Sequence, residues 1–355
     1  MSEASQASQA SSASASPATP VEGVVDFHNH YYPPAYLAAL SGDAGGAGGA
    51  AGRSNVRVTV DGAGNPLLHY PGDYNVAVRG HRDIEYRAEV LAALGVATQV
   101  LSLTTPGTHV EEPATAARLA SLVNDALAAV VRDHHGRFAA LATLPLNDPA
   151  AAVRELDRAM GELGLPGAML FSNVNGTALA DRRFWPLYEA ADARGAILHI
   201  HPTAPVGVEA MTSYWLMPLV GFLFDTTLAA AHLVFAGVAL RFPRIRWVLS
   251  HLGGALPYIA ERLDRGFHAF RECRAHLDRP PSEVLKGFYF DTVNFDPAAL
   301  ELAIRFAGPG HILAGSDYPH QIGSLPSMLE SIGGLPIAAA DRAAILGGNG
   351  RRLLG

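Results

Sequence analysis

From Val24 onward, short apolar segments rich in β-branched residues alternate with longer stretches in which apolar residues return at helical spacing. Eight such segments occur: VVDFHNH (Val24 to His30), ATQVLSL (Ala97 to Leu103), FAALATLP (Phe138 to Pro145), GAMLFSN (Gly167 to Asn173), AILHIHP (Ala196 to Pro202), RWVLSH (Arg246 to His251), FYFDTVN (Phe288 to Asn294) and ILAGSDYP (Ile312 to Pro319). Several of the stretches between them follow Asp or Pro and close near Gly, as helix start and stop signals do. The apolar segments are continuous rather than alternating, the pattern of strands covered on both faces in a parallel sheet. Strand and helix repeated in this way predict an α/β fold, a (β/α)8 TIM barrel, with a packed interior and its chemistry at the C-terminal strand ends. An open doubly wound sheet is the competing arrangement, but no Gly-x-Gly-x-x-Gly follows the first strand, so its usual dinucleotide site is absent.

Composition then limits where the barrel begins and what it meets. The first twenty residues are Ser, Ala and Gln without Lys, Arg or an apolar core, so residues 1–20 are expected to be a disordered tail, not a signal or transit peptide. Residues 21–355 are expected to form a single barrel domain, with an insertion at about 41–80 after the first strand that opens on the low-complexity run Ser41 to Arg53. The region from Thr203 to Gly237 reads as a lid-forming connection. Its apolar run is broken by Pro218, Asp225, His232 and Gly237, which argues against a membrane span. A net charge of −7 offers no basic surface to nucleic acid or anionic lipid. Cys273 is the only cysteine, so no intrachain disulfide or cysteine-based zinc site can form, and a cytoplasmic location is expected.

The polar residues fall at one end of the strands. His28 and His30 close the first strand, His199 and His201 the fifth, His251 the sixth, and Asp317 the eighth, with His320 just beyond. Residues i and i+2 share a face of a strand, so each histidine pair projects together. His28, His30, His201 and Asp317 make a three-nitrogen, one-oxygen shell suited to a divalent cation with a position left open for water or substrate. Spacing does not choose between His201 and His199; His201 is preferred because it lies nearer the strand end, with His199 as a supporting or core residue. His251 then sits beside the cation as an acid or base. Trp215, with Tyr214, Phe222 and Phe224, can line an apolar pocket for a planar ring, or simply pack.

Taken together, VVDFHNHYYPP, LGLPGAMLFSNVNG, ILHIHP, SYWLMPLVGFLFDTT, RFPRIRWVLSHLGGALPYIAERLDRGF and ILAGSDYP resemble the amidohydrolase superfamily and, within it, the aminocarboxymuconate-semialdehyde decarboxylase branch. The likeness runs from about Val24 to the C-terminus. It implies a metal-dependent hydrolase type of barrel that binds one divalent metal, usually zinc with manganese or iron as alternatives, through His28, His30, His201 and Asp317. It implies His251 as catalytic acid/base, and Arg262 as a residue that meets substrate carboxylate across a dimer interface. The family's other substrate-binding arginine has only a loose counterpart, Arg79.

Such an apparatus supports two outcomes. One is nonoxidative decarboxylation of a small aromatic or muconate-type acid, with the proton supplied to carbon by Asp317, His251 or bound water. The other is hydrolysis of a lactone, ester or amide. The branch resemblance and the arginines favour decarboxylation of a small-molecule carboxylate. A catalytically silent barrel would show a lost ligand, and none is lost. The apolar stretch from Thr203 to Gly237, with the family likeness, predicts a homodimer.

Overall fold

A computed structural model describes residues 23–42, 54–70 and 73–355. The expected tail (residues 1–20) and most of the Gly/Ala-rich run (residues 43–53) lie outside the described residues. Each of the eight apolar segments forms a strand of one parallel ring: β1 (Val24–His30), β5 (Val96–Ser102), β6 (Phe138–Ala140), β7 (Gly167–Phe171), β10 (Ile197–His201), β11 (Arg246–Leu249), β12 (Tyr289–Asp291) and β13 (Ile312–Leu313). Ladders run β1-β5-β6 and β7-β10-β11-β12-β13. The two arcs are joined by parallel bridges, Ala142 to Ala168 on one side and Asn29 to Tyr318 on the other. Phe27 N donates to Ala314 O at 2.7 Å and His30 N to Tyr318 O at 2.8 Å across the second seam. The ring is therefore closed, with no free strand edge.

Period two sorts side chains between the two layers. On β10, Leu198 and Ile200 pack outward against the helices, and Ile197 faces inward with Val25, Phe27, Val100, Leu141, Val248 and Leu313. Leu353, from the C-terminal helix Asn349–Leu354, belongs to the same inner cluster. The outer helices begin where the sequence signals lie. Asp83, Asp148, Asp296 and Ser324 each accept a hydrogen bond from a first-turn backbone N–H, and the last three precede a proline in that turn.

Two features differ in detail from the sequence expectation. The insertion after β1 contains a three-stranded antiparallel sheet, β2 (Arg57–Val60), β3 (Pro66–Tyr70) and β4 (Asp73–Val76). These strands are short and only partly buried, so they lack the continuous apolar signature of the ring. The turn between β2 and β3 is held by Asp61, whose Oδ1 accepts from Ala63 N and Asn65 N at 2.8 Å each. A second small hairpin, β8 (Asn173–Val174) with β9 (Thr177–Ala178), follows β7. Two helices, Pro113–Asp133 and Met217–Phe235, are long and apolar enough to cross a membrane by length and composition. Each buries one face in the protein, through Leu119, Val123 and Leu127 in the first and Ala230, Leu233 and Val234 in the second.

Candidate metal centre

The site begins with an irregularity in β1. Its register against β5 shifts between Asp26 and Asn29, so Phe27 and the adjacent His28 both approach the inward-facing His199, with ring centroids at 6.2 and 5.3 Å. That bulge aims His28 and His30 into the barrel mouth above an apolar floor. The end of β1 is held by buried polar groups. Arg87, fully buried, donates to Asn29 Oδ1 (2.9 Å), Gln99 Oε1 (2.8 Å) and the carbonyls of Gly80 and His30. Gln99 in turn donates to Asp26 Oδ2 at 2.7 Å, and Asp26 accepts from Ser316 N and Oγ beyond β13.

His201 closes β10, and Asp317 enters from the turn after β13, whose Ser316 and Asp317 N–H groups both donate to His28 O (3.0 and 2.8 Å). Asp317 and His251 adopt left-handed backbone conformations, φ 56° and 53°, uncommon outside glycine but more accessible to Asp and His than to most residues. Together these elements bring His28, His30, His201 and Asp317 into one group, with one donor atom from each and all four atoms within 4.8 Å of one another. His28 Nε2 lies 3.1 Å from His30 Nε2 and 3.5 Å from Asp317 Oδ1, and His30 Nε2 lies 3.0 Å from the same oxygen.

Hydrogen bonds orient two of the imidazoles for a divalent cation, and at His28 burial is outweighed by Asp291, which raises it from the usual histidine range. His28 Nδ1 lies 2.5 Å from Asp291 Oδ2 and His201 Nδ1 lies 2.8 Å from Pro202 O. With Nδ1–H donating in each case, the Nε2 lone pair is free to face the centre, the arrangement that metal-bound imidazoles use. Burial first, and then the neighbouring imidazoles, hold His30 and His201 well below the usual histidine range, in the neutral form a ligand needs. Burial opposes ionisation of Asp317 and Asp291, but the surrounding imidazoles outweigh it and keep both carboxyls below their ordinary range. His199 lies deeper, with Nε2 3.0 Å from Ser250 Oγ and 4.0 Å from Asp291 Oδ2, and burial lowers it to about 3. It supports the group from below and contributes no atom to it.

Two of the four, His201 and Asp317, line a cavity of about 290 Å³, and His28 and His30 lie fully buried behind them. His251 stands in its wall with its ring 5.1 Å from that of His28 and 5.6 Å from that of His201, and burial lowers it to about 4. Trp215, Leu219 and Phe222 of the long connection supply an apolar wall, and Trp215 meets Tyr74 of β4 at 5.6 Å, so connection and insertion adjoin over the mouth. The two arginines lie elsewhere. Arg79 is half exposed, with Nε 2.8 Å from Asp83 Oδ2 and its guanidinium over Tyr86, and Arg262 is exposed on the helix Leu256–Ala269. Neither is among the described residues lining the cavity.

Asp291, Arg87 and His81 escaped the sequence reading. Asp291 carried a usable signal, since it ends an apolar strand on the same side as the histidines. Arg87 and His81 carried none, because each lies on a helix beyond the ring and reaches the site only through tertiary contacts.

Comparison with known proteins agrees with the fold. The amidohydrolase family model matches residues 25–355. A 2-amino-3-carboxymuconate-6-semialdehyde decarboxylase of Dictyostelium discoideum is 35% identical over 247 residues, 69% of this chain and 68% of that protein. The crystal structure of 5-carboxyvanillate decarboxylase from Sphingomonas paucimobilis superposes with TM-score 0.80 at 27% identity, covering 94% of this chain and 98% of that one. A dihydroxybenzoic acid decarboxylase from Polaromonas sp. JS666, solved with manganese and 2-nitroresorcinol, shares the fold at TM-score 0.76 and 24% identity, with 94% and 96% covered.

Proposed function

This chain belongs to the amidohydrolase family, and from that membership we propose that it is a metal-dependent nonoxidative decarboxylase, a carbon–carbon lyase for a small aromatic or muconate-type carboxylic acid. The observation that carries the reading is the convergence of His28, His30, His201 and Asp317 on one point beneath a largely apolar cavity, in a chain whose relatives are decarboxylases.

A divalent cation held by His28, His30, His201 and Asp317 would supply positive charge to offset the electron pair left on carbon as CO2 departs. Zinc is the proposed occupant, since imidazole and carboxylate suit it; manganese, named with the Polaromonas neighbour, and iron accept the same ligands. Trp215 and Phe222 hold the planar substrate against the mouth and exclude water from it. His251, neutral near pH 7 because of its burial, takes up a proton from the incoming acid or from solvent and hands it to the carbon that loses CO2. The bond between that carbon and the carboxylate breaks and a carbon–hydrogen bond replaces it. Asp317 is the second group placed to carry that proton.

The exposed apolar side chains Leu219, Val220, Phe224 and Leu228, with Tyr258 on the helix that bears Arg262, form the face through which two copies are proposed to pair. Arg262 contacts substrate only if it does so in a second copy across that face, and Arg79 is given no substrate contact. The cytoplasm is the proposed location, on the strength of a single cysteine.

The test is purification, metal analysis and a panel of ortho-hydroxy aromatic acids and muconate semialdehydes assayed for CO2 beside a panel of lactones. CO2 release without lactone turnover supports the lyase; lactone turnover without CO2 assigns the chain to the hydrolases. Size-exclusion chromatography with light scattering should give twice the monomer mass, and a monomer at micromolar concentration would remove the proposed pairing face.

A further inference from the structure

His81 lies in the short helical turn Arg79–Arg82 between β4 and the helix Ile84–Ala93. It is 1% exposed, it lines the cavity above the metal centre, and neither ring nitrogen has a hydrogen-bond partner among the described residues. A buried imidazole with both nitrogens unpartnered is uncommon, because desolvation without compensation is unfavourable. The backbone holds it there firmly. His81 N donates to Val78 O at 2.9 Å, His81 O accepts from Tyr32 N at 2.7 Å, and its ring packs 5.2 Å from that of Tyr32. Gly80 permits the approach, since a Cβ at that position would fall 2.5 Å from Tyr318 Oη.

The same cavity is also lined by the apolar side chains of Trp215, Leu219 and Phe222. Two ring-to-ring steps of 4.9 Å, His81 to His320 and His320 to His30, connect His81 with the metal-binding group. The two steps set an upper bound on the separation of His81 from that group, and a benzoate carrying an oxygen at its far side fits within it. The chemistry of the wall narrows the choice. Among the described residues lining the cavity there is no Lys or Arg, and Asp73 contributes a carboxylate. A neutral imidazole offers one donor and one acceptor, the complement of a hydroxyl group, whereas a second carboxylate would face Asp73 with no cation to offset it. Burial, followed by His320 and Arg87, keeps His81 well below the usual histidine range and therefore neutral.

We propose that His81 is the specificity-determining residue of this enzyme: its imidazole hydrogen-bonds a hydroxyl on the ring of an aromatic monocarboxylic acid whose carboxylate end lies at the metal centre. The proposal rests on the decarboxylase reading for the orientation of the acid, but it can be tested without turnover.

The experiment is calorimetric binding to the metal-loaded full chain, with benzoate, 3- and 4-hydroxybenzoate and benzene-1,3-dicarboxylate as probes, in the wild type and in H81L and H81Q. The wild type should bind its better hydroxybenzoate about tenfold more tightly than benzoate, within the range of one neutral hydrogen bond. In H81L that ratio should collapse to within about twofold while benzoate affinity stays nearly constant, and H81Q, which keeps a donor and an acceptor, should restore part of it. H81F decides by the same ratio should H81L fail to fold or to take up metal. A ratio unchanged in the apolar variants, or a wild type that favours the dicarboxylate or shows no preference, overturns the proposal. The two readings separate cleanly. A His81-dependent preference in a protein that releases no CO2 from any acid removes the decarboxylase and leaves the binding assignment. CO2 release with a preference indifferent to His81 does the reverse.

Discussion

The lower and upper halves of the barrel interior are equally dry and chemically opposite. Below, Val25, Phe27, Val100, Leu141, Ile197, Val248 and Leu313 form an apolar plug, every one 2% exposed or less. Above, toward the C-terminal ends of the strands and the turns that follow them, stand His28, His199, His201, Ser250, Asp291 and Asp317, none more than 3% exposed. Burial stabilises the first set directly, since removing apolar surface from water is favourable. It opposes the second set, whose polar groups lose hydration and must recover it from one another or from a cation. Half of the core therefore holds the cylinder together, and the other half is held by it.

This contrast can be attacked from its most consequential point downward. Asp317→Ala, which removes the oxygen donor outright, should leave the protein folded but weaken metal binding in competition with a chelator, with CO2 release falling about a thousandfold or more by direct assay. Undiminished metal affinity in that variant would remove Asp317 from the ligand set. His251→Ala should keep the ion and lose about a hundred- to ten-thousandfold in turnover; an apo protein from that change would move His251 into the ligand shell. In the lower half, Leu313→Ala should do the opposite, costing about 2–5 kcal/mol of stability in denaturant titrations while metal content and turnover per folded molecule persist. Asp291→Asn breaks the anchor of His28, and should weaken metal binding about ten- to a hundredfold in competition with a chelator, with little change in the melting temperature of the metal-free protein.

The smallest effect at neutral pH, and a control for the rest, concerns His109. It is a buried imidazole that packs on Phe171 and has no carboxylate partner among the described residues, and burial lowers it from 6.5 to about 4. Between those values the unfolded chain binds a proton that the folded one refuses, so stability is full above about pH 6.5 and declines as the pH falls toward 4. His109→Leu should flatten that part of the acid-unfolding profile and change little at pH 7. A profile that keeps its slope would show that His109 is solvated in the folded protein.

Much of this was legible in the chain before folding. The eight apolar segments became the eight strands of the ring, and their polar ends named the histidines and aspartate that meet at its mouth. Less legible was the depth of each residue. His199 and His201 share a face of β10 and spacing alone left them equivalent; the contact of His199 with Ser250 and the turn of His201 toward Pro202 O separate them. The sheet β2–β4 was not apparent as strands, because partly buried antiparallel strands of four or five residues bury too little on either face to leave a periodic trace. Arg79 and Arg262 were singled out by family likeness, which carries no information on where a long side chain points.

What the sequence determined by itself was local: strand and helix alternation, the pairing of residues two apart on one face, and the polar punctuation at each strand end, all properties of neighbours along the chain. Ring closure, the bulge that turns Phe27 and His28 inward together, the left-handed turns at His251 and Asp317, and the entry of Asp291, Arg87 and His81 were decided only in three dimensions. Each of these depends on a partner tens or hundreds of residues away, and the free energy that selects it arises from contacts that do not exist until the cylinder has closed.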